Sequence, residues 1–307
     1  MRTFMKSSLF WLVLTIIIIS GAFMIASKPK YIRLLINNWN IEKLPRHFRT
    51  SKNAFITDSN NPVSTQGLSE LNISGSGQFS LKGLNALKKV LVSENVLFVD
   101  LRQESHGFLN GIAISWYAGK NWANKGRHAD EIKRDEKKRL ENLLKHPFTI
   151  AYYNKHIPLP LVPKRAFTEQ RLIETNTKWQ YMRLPISDHK TPLDVEVDHF
   201  INVVKQIPQN TWIHFHCGNG DCRTTTMMAM FDMLKNSSHV SFEDIILRQW
   251  FIGGINLFHE PELEWKKEFA KERIQFLKNF YQYCNEITDF SIPWSTWVNF
   301  VYLQSLS

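Results

Sequence analysis

Nine residues, His216-Cys217-Gly218-Asn219-Gly220-Asp221-Cys222-Arg223-Thr224, constrain this chain more than any other stretch. The apolar run Thr211 to Phe215 leads into them, and the helix-like run Thr224 to Lys235 leaves them. A strand, a tight glycine-bearing bend and a helix N-terminus in that order form a cradle for a tetrahedral dianion. Successive backbone N–H groups converge there, and the helix dipole adds positive potential. The same field favours a thiolate, which makes Cys217 a nucleophile. Arg223 offers a planar fork that matches two phosphate oxygens. Thr224 stands where its hydroxyl can donate to the sulfur and help it depart, and His216 reads as a residue that holds the loop. Phosphoryl transfer through a cysteinyl-phosphate is the chemistry such an arrangement suits.

The rest of the chain supplies a scaffold for that loop. Ser80 caps a helical pattern over Leu81 to Val92, and Val96 to Leu101 has the pattern of a buried strand. Asp130 to Lys145 and Leu193 to Ile207 have helical periodicity. Ser241-Phe242-Glu243-Asp244 resembles a capping box, and Glu262 to Ile287 forms a long amphipathic helix. Residues 31–78 show no clear period, and residues 147–185 alternate short apolar and polar pieces with several prolines. Strands alternating with helices predict an α/β fold with a mainly parallel sheet, its anion site at the carboxyl end of a strand.

Composition narrows the partners. At 307 residues with 43% hydrophobic residues and 10 tryptophans, the chain packs a large core and is not disordered. A formal net charge of +10 favours anionic partners, and no interleaved basic–aromatic motif points to nucleic acid. Arg2 and Lys6 precede an apolar stretch from Leu9 to Ala26, so residues 1–26 read as a signal peptide with Ser20-Gly21-Ala22 at its cleavage site, or as a membrane anchor if uncleaved. The expected localisation is periplasmic or secreted after cleavage, otherwise membrane-anchored. Three cysteines, Cys217, Cys222 and Cys284, do not make a disulfide framework. In an oxidising compartment a reversible Cys217–Cys222 bond would silence the nucleophile; the plainer reading of Cys222 is a space-filling residue. The histidines are scattered without metal-ligand spacing, so neither metal nor other cofactor is expected.

Further blocks resemble a known family. Phe98-Val99-Asp100-Leu101-Arg102-Gln103-Glu104-Ser105-His106-Gly107, then Ser115-Trp116-Tyr117 and Asn121-Trp122-Ala123-Asn124, precede the loop. Ser187-Asp188-His189 lies nearer to it, and Arg248-Gln249-Trp250-Phe251-Ile252-Gly253-Gly254-Ile255-Asn256 follows it. With the loop, these are similar in kind and order to the protein-tyrosine-phosphatase-like inositol phosphatases, or cysteine phytases, over roughly residues 45–300. The resemblance implies a phosphatase domain over residues 31–307, with a small partial β-barrel contributed by about 31–78 and 147–185. It implies hydrolysis of inositol polyphosphate monoesters; the alternatives are a protein-tyrosine or phosphoinositide phosphatase, or a phosphate-binding pseudophosphatase.

The resemblance also implies roles. Asp188 becomes the general acid, with His189 beside it touching substrate or positioning it. Asp100 falls among the substrate-binding residues, shaping the pocket or orienting the acid, and Arg49, or Arg46 in its place, binds substrate. A polyanionic substrate needs further cations, for which Lys267 and Lys271 are candidates, with Lys266 and Lys190. The loop residues Gly218, Asn219, Gly220, Asp221 and Cys222 contribute backbone to phosphate binding. One departure stands out. The family usually has glycine where this chain has Cys222, and a small, apolar or basic residue at Asp221. A left-handed non-glycine residue there would cost on the order of 1 kcal/mol, and a carboxylate facing the pocket would repel phosphate.

Overall fold

A computed structural model describes residues 31–55 and 62–304. The expected signal or anchor, residues 1–26, lies outside them. Among the described residues no helix is long and apolar enough to cross a membrane.

The central sheet has five strands. Strands β3 (Ile73–Ser76), β4 (Val96–Asp100), β10 (Gln180–Arg183) and β11 (Trp212–His216) run parallel in the order β10-β4-β11-β3, and β2 (Arg49–Thr50) adds an antiparallel edge. Sequence alternation explains its burial on both faces. Leu97, Val99, Ile213 and Phe215 point into a core built with the helices that follow the loop. Phe98, one residue out of phase, points the other way, into a core with Phe79, Leu84, Leu87 and Leu172. Strands covered on both sides read as continuous apolar runs, as Val96–Asp100 does.

Helices α1 (Leu81–Val90) and α3 (Glu169–Asn176) cover the second face. Helices α4 (Asp194–Gln206), α5 (Cys222–Asn236), α6 (Phe242–Phe251), α7 (Glu264–Glu286) and α8 (Trp294–Gln304) contribute to the first. Ser80 Oγ accepts from Gly83 N at 3.0 Å and Ser241 Oγ from Asp244 N at 3.1 Å, so both expected caps form. Helix α5 is buried nearly all round, and its run Met227-Met228-Ala229-Met230 fits the irregular space between sheet and helices.

A second sheet has six strands in the order β8-β7-β1-β6-β5-β9. They are β1 (Arg33–Asn38), β5 (His106–Leu109), β6 (Ile112–Tyr117), β7 (Thr149–Tyr153), β8 (Ile157–Leu161) and β9 (Ala166–Phe167). All pairings are antiparallel except β1 with β7. Helix α2 (Ala129–Leu143) covers one face through Ile132, Leu140 and Leu143. The chain segments divide differently from the expected accessory unit. Residues 31–78 give this sheet only β1, while β2 and β3 join the central sheet; residues 106–117 supply β5 and β6. The sheet is open from β8 to β9.

Candidate active site

The loop between β11 and α5 is held from below and from both sides. Gly220 has φ +87°, and a side chain there would meet Gly77 N at 2.5 Å, so only glycine fits. Arg49 Nη1 donates to Gly220 O at 2.8 Å, and Gln78 N donates to Gly218 O at 3.1 Å. Within this frame Cys217 is 3% exposed, and its Sγ accepts from Gly220 N and from Thr224 Oγ1, each at 3.2 Å. Both donors aim at the sulfur.

Arg223 lies buried beside it. Its guanidinium donates to both carboxylate oxygens of Glu104, at 2.9 and 3.2 Å, and to the carbonyls of Leu101 and Ile186. Burial opposes the charge on Glu104, yet Arg223 and Arg102 hold its carboxyl well below the usual range. Asp188 approaches the same fork, with Oδ1 at 3.2 Å from Arg223 Nη2. Asn121 Nδ2 donates to Asp188 Oδ2 at 3.2 Å, and Trp122 Nε1 to its backbone carbonyl at 3.0 Å. The 119–124 segment therefore grips the Asp188 loop. His189, at φ 67°, stacks edge-on against Trp265, and burial lowers its basicity.

Behind the loop lies a buried charge cluster. His216 Nε2 stands 2.6 Å from Glu169 Oε1 and 3.8 Å from Asp100 Oδ1. Asp100 accepts from Tyr181 Oη and the Arg102 backbone at 2.9 Å each. Burial would raise its carboxyl, but His106 and Arg183 hold it well below the ordinary value. Asp100 is fully buried here, so it shapes the loop's support and does not touch a ligand, contrary to its expected place among substrate-binding residues.

In front of the loop opens a cavity of about 680 Å³, lined by Cys217, Arg223, Asp188 and His189. The cations Arg46, Arg102, Lys120, Lys155, Lys266 and Arg273 also line it. Two corrections follow. Arg49 is 1% exposed with its fork spent on Gly220 O, His47 O and Thr225 Oγ1, while Arg46 reaches the cavity. Lys267 pairs with Glu264 at 2.8 Å, and neither it nor Lys271 lines the cavity; Lys266 and Arg273 do. Their spacing of seven on α7 sets both on one face, a signal the sequence carried. Lys120 and Lys155 had no such signal. Both sit at positive φ in turns, where only the folded second sheet and its neighbours aim them.

The loop's unusual residues are accommodated. Asp221 has φ −90° and Cys222 begins helix α5, so neither is left-handed and the expected strain does not arise. Asp221 does face the cavity, but His47 Nδ1 meets its carboxylate at 2.7 Å. Cys217 and Cys222 are both free thiols.

This geometry has counterparts. The model of the PTP-like phytases, described by the words inositol hexakisphosphate, matches residues 99–235. A PTP-like phytase from Bdellovibrio bacteriovorus is 33% identical, with TM-score 0.69 over 87% of this chain and 95% of that one. The chain belongs to the PTP-like phytase family. The PTP-like myo-inositol phosphatase from Mitsuokella multacida, solved with myo-inositol-(1,3,4,5)-tetrakisphosphate, is 35% identical, with TM-score 0.83 over 89% of this chain. Effector protein hopD2 of Pseudomonas syringae pv. tomato is 28% identical over 76% of this chain. The chain spans about half the length of these last two, 48% and 53%.

Proposed function

We propose that this chain hydrolyses phosphate monoesters of myo-inositol polyphosphates through a cysteinyl-phosphate. The observation that carries the reading is the convergence of Cys217, Arg223 and Asp188 on one cation-lined cavity. A lone phosphate needs Arg223 and the loop amides; the six further cations that line the cavity suit a ligand with several phosphates. The Mitsuokella protein's tetrakisphosphate supports the same class.

In this mechanism Cys217 Sγ attacks phosphorus, the ester P–O bond breaks, and Asp188 gives its proton to the departing inositol oxygen. Arg223 and the loop N–H groups hold the equatorial oxygens as charge builds. Water then attacks the cysteinyl-phosphate while Asp188 takes its proton. The S–P bond breaks, and the Thr224 hydroxyl at 3.2 Å receives the returning thiolate. His47 Nδ1 engages the Asp221 carboxylate at 2.7 Å, a local partner for the loop's own acid that supports an active enzyme over a pseudophosphatase.

The test is inorganic phosphate release from inositol hexakisphosphate and from phosphotyrosine under reducing conditions, with Cys217→Ser as control. Faster Cys217-dependent release from the inositol ester supports the proposal. Preference for phosphotyrosine would make it a tyrosine phosphatase, and no release from either would leave only phosphate binding.

A further inference from the structure

Glu169 opens helix α3, whose preceding strand β9 belongs to the second sheet, yet its carboxylate is fully buried behind the phosphate loop. Nothing in the chemistry above uses it. Burial opposes its charge, but the imidazole of His216 keeps it ionised. Each of its oxygens serves a different arm. Oε1 contacts His216 Nε2 at 2.6 Å, the residue immediately before Cys217. Oε2 accepts from Gln78 Nε2 at 2.7 Å. Gln78 in turn donates its backbone N–H to Gly218 O at 3.1 Å, and its Oε1 accepts from Arg102 Nη1. Arg102 Nε meets Glu104 at 2.8 Å, and Glu104 holds Arg223.

Glu169 is therefore the point where the nucleophile's side of the loop and the arginine's side meet. The ligand-capable atoms of Asp100, Glu169 and His216 lie within 4.8 Å of one another, which raises the question of a metal. The 2.6 Å separation answers it, since two ligands of one tetrahedral zinc stand roughly 3.3 Å apart. The contact is a direct approach of imidazole nitrogen and carboxylate oxygen, off the line of an ideal hydrogen bond, as His216 Nε2 has no aligned acceptor.

We propose that Glu169 is a positioning residue that keeps Cys217 and Arg223 in mutual register, acting through His216 on one arm and through Gln78, Arg102 and Glu104 on the other. The proposal rests on the phosphatase reading, and two substitutions separate its arms. Glu169→Gln keeps volume and one acceptor but removes the charge facing His216. It should lower kcat on an aryl phosphate about tenfold and slow iodoacetamide alkylation of Cys217, followed by site-resolved mass spectrometry, by a similar factor. Gln78→Met cuts the second arm alone. It should weaken protection of Cys217 by inorganic phosphate about tenfold, while alkylation without phosphate stays within twofold of wild type.

A folded Glu169→Gln protein with kcat and alkylation both within twofold of wild type overturns the proposal, since a purely structural role would lower melting temperature and spare both rates. If Glu169→Gln does not fold, unchanged phosphate protection in Gln78→Met overturns it. Should wild type hydrolyse no ester, the phosphatase reading fails, while alkylation and phosphate protection still decide the role of Glu169.

Discussion

The two sheets divide the work between them. The parallel sheet is buried on both faces, and its strand β11 delivers Cys217 and Arg223 to a loop anchored by backbone bonds on either side. The second sheet is covered by α2 on one face, while Leu35, Asn37, Ser115 and Tyr117 on the other line the cavity. It brings Lys155 from a turn, stacked over the Tyr117 ring at 4.7 Å. On the proposed function, chemistry sits where packing allows little movement, and recognition falls to the sheet face that lines the cavity.

The strongest way to break this division is at the loop. Cys217→Ser should reduce turnover of every ester on the order of 10⁴-fold or more, yet leave phosphate bound by Arg223 and the loop amides. Measured turnover near wild type would remove Cys217 from the mechanism and with it the role of the parallel sheet. Next in size is Asp188→Asn, expected to slow hydrolysis of an alkyl ester such as inositol hexakisphosphate about 10²- to 10³-fold and an activated aryl phosphate far less. Equal losses on both would show that Asp188 acts through Arg223, which it contacts at 3.2 Å, and not as a proton donor.

Recognition should give smaller, substrate-dependent effects. Lys155→Met or Lys266→Met should raise KM for inositol hexakisphosphate roughly fivefold each, the effect of about 1 kcal/mol, with kcat and aryl phosphate kinetics unchanged. If aryl phosphate suffers equally, these lysines support the loop and the two sheets are not separate in function.

That division also explains what could be read from the chain. Loop, flanking strand and helix are contiguous, so Cys217, Arg223 and Thr224 declared themselves by local order alone. Helices 81–90, 194–206 and 264–286 followed from periodicity within a few residues at their ends. The second sheet is assembled from β1, the β5–β6 hairpin and β7 to β9, segments over a hundred residues apart in the case of β1 and β7, whose cavity face carries no alternation strong enough to show. Its cavity cations were accordingly missed. Arg49 illustrates a different failure. The family resemblance gave substrate to Arg49, or to Arg46 in its place; burial committed the Arg49 fork to Gly220 O and left Arg46 to face the cavity.

A further effect falls on stability instead of turnover, at the seam between the sheets. His106 on β5 places Nε2 3.2 Å from Asp100 at the end of β4 and Nδ1 2.8 Å from the Glu104 carbonyl. Burial disfavours the imidazolium, but Asp100 and Glu136 outweigh it and raise His106 from 6.5 to about 9. A group whose affinity for its proton rises on folding stabilises the fold fully below its unfolded value and loses that contribution as pH climbs through the folded one. The wild type should therefore lose on the order of 3 kcal/mol between pH 6.5 and 9.5, roughly 5 °C or more in melting temperature. His106→Gln should be less stable at pH 6 and show a flatter profile across that window. Parallel profiles for the two proteins would mean that the seam is held by neutral hydrogen bonds and Arg183, with no imidazolium, and that the sheets are joined independently of pH.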